Sequence, residues 1–148
     1  MTVVHRSPKR RPGGVDKLDA DDAFIALLIA AMDASGHVSA EEAARAHNII
    51  WSMRRFQHRS GETVGRKIAQ MRTLVEKVGT LSVIEAAAGR IPSRLRPTAF
   101  AVATDLVLVD GRMQRGEGRF LRQLAADLGL GRQAAKSILD VIRLKNSA

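Results

Sequence analysis

One pattern occurs twice in this chain, and that limits its fold more than any other feature. An apolar run of helix length, a turn with glycine and an acidic helix start appear as AFIALLIAAMDASGHVSAEEA from Ala23. They return as AFAVATDLVLVDGRMQRGEGRF from Ala99. With Gly36 set on Gly111, Val38 falls on Met113, Glu42 on Glu117 and Leu27 on Val102. A helix–turn–helix unit cannot bury its apolar face alone, and a second copy can cover it. The expected fold is therefore all-α: a single compact bundle of six or seven helices with two internally repeated helix-turn-helix halves.

The walk along the chain agrees with helices throughout. Strand signals are missing, with no Tyr, aromatics at 3% and abundant Ala. Asp19 is placed to cap a first helix reaching about Met32, and Asp22 stands near its positive end. Phe24, Ile25, Leu27, Leu28 and Ile29 make that helix apolar on nearly every side, which assigns it to the middle of a bundle. Ser39 to Glu42 reads as a capping box. The helix it opens carries Ala43, Ala46, Ile49, Ile50 and Met53 on one side and is expected to end near His58. A third helix over 63–78 stops at Gly79, and a shorter one over 81–88 stops at Gly89. Pro97 suits the opening turn of the next helix. A sixth, from about Arg115, buries Phe120, Leu121, Leu124 and Leu128 before Gly129, and the last uses Ala135, Ile138, Leu139, Ile142 and Leu144. The domain is expected over 19–146, after a basic tail at 1–18.

The net charge of +9 is unevenly distributed. Five basic residues in the tail are nearly cancelled by Asp16, Asp19, Asp21 and Asp22. In the segment 54–72, Arg54, Arg55, Arg59, Arg66, Lys67 and Arg72 face only Glu62, and a third excess gathers at Arg112, Arg115, Arg119 and Arg122. Such a balance favours acidic partners, whether nucleic acid, anionic lipid or an acidic protein surface; a solvated Arg-rich surface ranks somewhat ahead of a dedicated nucleic-acid site. Trp51 and Phe56 are the only aromatics beside the middle cluster, too few for a base-stacking platform.

Catalysis finds no support. The chain has no Cys, no His-Glu-x-x-His, no phosphate-binding Gly loop and no Gly-x-Ser-x-Gly, so neither an enzyme nor a small-molecule substrate is expected. The N-terminus lacks the apolar core of a signal peptide, and the apolar runs at 23–32 and 99–109 fall short of the ~20 residues that span a bilayer. The expected location is cytoplasmic. Asp105 lies inside a strongly apolar helix and is expected to be a buried polar residue in a structural ion pair with an Arg. His47 and His58, three helical turns apart, are expected on one face but too far apart to chelate one ion.

At the level of motif order the chain resembles the TerB-like tellurite-resistance family. The resemblance rests on Leu95-Arg96, Ala99-Phe100-Ala101, Asp105-Leu106, Asp110-Gly111, Glu117 and Leu128-Gly129-Leu130, and weakens in the first half. It implies a non-catalytic, internally repeated helical domain of bacterial tellurite and chemical stress response. It also implies docking to a protein partner, of a kind that can be membrane-associated, and a divalent cation as the one cofactor. Carried over residue by residue, the cation site would be Asp33, Glu41, Glu42, Asp110 and Glu117. Ser35 and Gly116 interrupt that acidic pattern and Arg112, Arg115 and Arg119 crowd the second turn, so a helix-terminus role for Asp110 and Glu117 ranks ahead of metal binding. A partner surface is expected at Trp51, Arg54, Arg55, Arg59 and Arg66, with Phe56 as a second exposed apolar anchor, although Trp51 fits a core position equally well. The alternative function is nucleic-acid binding through the last two helices, which carry Arg132, Lys136, Arg143 and Lys145.

Overall fold

The computed structural model describes residues 17–34, 36, 39–108 and 117–147. Among them are seven α-helices and no strand: α1 (Ala20–Ala34), α2 (Ala40–Ser52), α3 (Gly61–Val78), α4 (Thr80–Arg90), α5 (Arg96–Val107), α6 (Glu117–Asp127) and α7 (Arg132–Lys145). The fold is all-α, as expected. The basic tail through residue 16 and the second-copy turn at 109–116 lie outside the described residues.

α1 is the axis of the bundle. Its start is set by Asp19, whose Oδ1 accepts the Asp22 amide at 2.8 Å. Every residue from Ala23 through Met32 is buried, because α2, α3, α4 and α5 surround the helix. Its most extensive neighbour is α4, which adds Ala86, Ala87 and Ala88 to the core beside Val83 and Ile84. Small side chains let helix axes approach closely. α3 covers another side with Val64, Ile68, Met71 and Val75, a stripe at helical spacing. The core begins one residue before the expected boundary: Leu18 is buried, and its carbonyl accepts from Arg90 Nη1 at 3.1 Å.

Glycine sets two corners. Gly79 alone joins α3 to α4, with φ +100, where a side chain would be strained. Gly129, at φ +69, ends α6 in a Schellman motif: its amide bonds the Ala126 carbonyl and the Leu130 amide bonds Ala125, both at 2.9 Å.

Four elements differ from their sequence reading. α4 runs through Gly89, which was expected to stop it, and ends after Arg90, with Ile91 extended as its cap. α2 stops at Ser52, short of His58, because Met53 is extended (φ −71, ψ 138) and 53–59 follow as tight turns. The reason is Phe56, which is fully buried with its ring centroid 6.0 Å from that of Phe24 and so draws the chain off the helix axis. His47 and His58 therefore share no helix face. α7 contains no fully buried residue, and Leu144, expected in the core, is 73% exposed. α7 rests chiefly on α5, and a single neighbour covers only part of an apolar stripe. Phe120 is likewise only partly buried. The two helices that the sequence pattern sets in register differ in burial: α1 is enclosed, whereas Ala101, Val102 and Asp105 of α5 are part-exposed.

Candidate interaction surface

The acidic start of α1 and the basic segment after α2 meet in space. Asp21 receives Arg55 Nε on Oδ1 and Arg59 Nη2 on Oδ2, one guanidinium on each carboxylate oxygen. Asp22 receives Lys67 Nζ at 2.6 Å. Both carboxylates sit in the first turn of α1, where the helix dipole favours negative charge. In the sequence these acids stand beside the tail and the middle arginines face only Glu62. In the fold, three of the six middle cations are instead paired with the two carboxylates of α1. No local pattern pairs residues this far apart in the chain, which is why the clamp escaped the sequence reading.

Arg54 and Arg66 remain exposed, so the expected partner surface is divided between two bound arginines and two solvated ones. Trp51 stands at its edge, 43% exposed. Its Nε1–H donates to the Arg59 carbonyl at 2.9 Å, which holds the ring against the start of α3. A Cβ on Gly61 would meet that ring at 3.6 Å, so the indole lies directly over backbone there. Behind it, His47 Nε2–H donates to the Gly61 carbonyl at 2.7 Å, with the His47 and Trp51 ring centroids 6.0 Å apart. Asp21 thus fixes Arg59, and Arg59 fixes the tryptophan. Phe56, the other expected exposed aromatic, belongs to the core.

The first acidic turn is structural in its described part. The Ser39 hydroxyl accepts the Glu42 amide at 3.1 Å, capping α2. Asp33 Oδ2 accepts from Thr80 Oγ1 at 2.6 Å, tying the end of α1 to the start of α4. Glu41 is exposed. Asp110 and the Glu117 side chain lie outside the described residues, and among the described ones no three His, Asp or Glu side chains converge as a cation would need. Asp33, Glu41 and Glu42 do not by themselves fit a divalent ion.

Asp105 is in a structural ion pair as expected but is part-exposed, its side chain retaining 19% of its accessibility, so the expectation of a buried carboxylate is corrected. Its partner is a lysine where an arginine was expected. Lys145 Nζ lies 3.1 and 3.2 Å from its two oxygens and Asn146 Nδ2 3.1 Å from Oδ1, which pins the end of α7 to α5. The fully buried polar group of α5 is its neighbour Thr104, whose Oγ1 has no hydrogen-bond partner among the described residues.

The family model described as tellurite resistance protein TerB matches residues 21–140. This chain belongs to the TerB family. The match opens at the Asp21 clamp and reaches all seven helices, α1 from its second residue and α7 in part. No curated protein and no solved structure matches the chain. Among the described residues, no helix of this TerB-family chain is long and apolar enough to cross a membrane.

Proposed function

We propose that this chain is a non-catalytic, cytoplasmic docking domain of the tellurite and chemical stress response, whose protein partner engages the Trp51 face. Family membership supports the stress-response setting. The docking reading is carried by one observation: Trp51 is 43% exposed yet held by its Nε1–H bond to Arg59. A tryptophan fixed before contact loses little conformational freedom on binding, and Trp and Arg are favoured interface anchors. Exposed Arg54 adds a cation beside it in the chain, which suits an acidic contact.

The test is a complementation assay in a strain lacking the gene, grown on tellurite, with Trp51→Ala and Trp51→Phe beside the wild type. The expected result is loss of protection with Trp51→Ala at unchanged helicity and near-unchanged melting temperature, with partial protection by Trp51→Phe. Full protection by a folded Trp51→Ala variant would sink the reading. So would consumption of tellurite by the purified protein, because a docking domain performs no chemistry.

A further inference from the structure

α6 and α7 are joined by a tight turn at Gly129 to Gly131 but barely pack on each other, since α7 lies chiefly on α5. The space between them is a groove of about 940 Å³. Its floor is apolar, built from Phe100 of α5, Leu121 and Ala125 of α6, Leu130 of the turn and Leu139 of α7. Among the described residues, Arg119, Arg122, Arg132, Lys136 and Arg143 line it against a single acid, Asp140. That acid is already bonded to Lys136 at 3.0 Å. Arg119, Arg122 and Arg132 have no ion pair or hydrogen bond among the described residues. In the middle basic segment Arg55, Arg59 and Lys67 are answered by Asp21 and Asp22; among the described residues Arg119, Arg122 and Arg132 have no such answer.

We infer that the α6–α7 groove is a docking site for an acidic amphipathic helix of a partner protein. Two features together select that occupant. The rim needs carboxylates, and charge complementarity steers and orients them. The floor needs leucine-like side chains at i, i+3, i+4 and i+7, the spacing by which a helix fills an apolar groove. A nucleic acid would satisfy the rim while leaving the apolar floor uncovered. The chain's own N-terminal segment is basic, as the rim is, and so lacks the charge complementarity that the rim asks of an occupant. The groove shares no helix with the Trp51 face, so the two surfaces stand or fall separately.

The probe is a synthetic helical peptide with leucines at that spacing and glutamates on its flanks, titrated into the full chain and followed by calorimetry and amide NMR. Controls are the same composition with the leucines scrambled, a DNA duplex, and vesicles of phosphatidylglycerol. The expected result is saturable 1:1 binding with shifts confined to α5, α6 and α7. Arg122→Glu with Arg132→Glu, and separately Ala126→Trp, should each weaken it at least about tenfold. All three positions are exposed, so the fold should not suffer. Trp51→Ala should bind the peptide with unchanged affinity. Equal binding of the scrambled peptide, preferential binding of duplex or vesicles, shifts outside the groove, or no saturable binding would each overturn the inference.

Discussion

Replacing Asp21 with alanine removes the one carboxylate that holds both Arg55 and Arg59. Side-chain exposure is 15% for Asp21, 32% for Arg55 and 29% for Arg59, so the pairs lie between the exposed and buried limits. Exposed pairs contribute roughly 0.2–1 kcal/mol and charge-assisted hydrogen bonds up to about 3 kcal/mol. About 1 kcal/mol for each guanidinium and about 0.5 kcal/mol for the helix-dipole interaction give a loss of about 2–3 kcal/mol. For a chain of this size that is a fall in melting temperature of about 4–10 °C. Urea denaturation should show the loss as a shifted midpoint with unchanged slope, because the extent of surface exposed on unfolding is the same. A double-mutant cycle with Arg55→Ala should return a coupling of about 1 kcal/mol, reduced at about 1 M NaCl as screening grows. Trp51 fluorescence should redden as the Arg59 carbonyl loses its position. A loss below about 0.5 kcal/mol would refute the reasoning, for it would mean the clamp behaves as an ordinary solvated surface pair.

Two further substitutions test the interior and the turn before α7. Thr104→Val replaces a buried hydroxyl that has no partner among the described residues with a methyl group of similar shape and should stabilise the protein by about 1 kcal/mol, read as a rise in the urea midpoint. Gly129→Ala forces a side chain into φ +69 and should cost about 1 kcal/mol; no change would mean the Schellman turn tolerates a side chain there.

Local signals and long-range ones separated cleanly in this protein. The existence of the helices, the Asp19 and Ser39 caps, the Gly79 and Gly129 ends and the central place of α1 were legible from the sequence. Each rests on hydrogen bonds or apolar spacing within a few residues, which sequence order displays directly. Family membership was legible for a related reason: the order and spacing of short motifs survive as a linear pattern. The early end of α2 was not legible, because Ile49, Ile50 and Met53 continue the helical spacing and only the pull of Phe56 into the core beside Phe24 breaks it.

The interaction surface depended almost wholly on tertiary structure. Sequence alone determined that the chain is all-α, basic and without the motifs of catalysis. It could not say which cations are spent inside the fold, since a charge pairs with whatever is near in space. Asp21 and Asp22 of α1 answer Arg55 and Arg59 of the turns after α2 and Lys67 of α3, whereas among the described residues Arg119, Arg122 and Arg132 have no acid brought to them. Trp51 suited core and surface equally as a residue type, and the bond from its indole to the Arg59 carbonyl decided for the surface. Helix content followed from neighbours in the chain; the distribution of free charge and exposed apolar surface followed from neighbours in the fold.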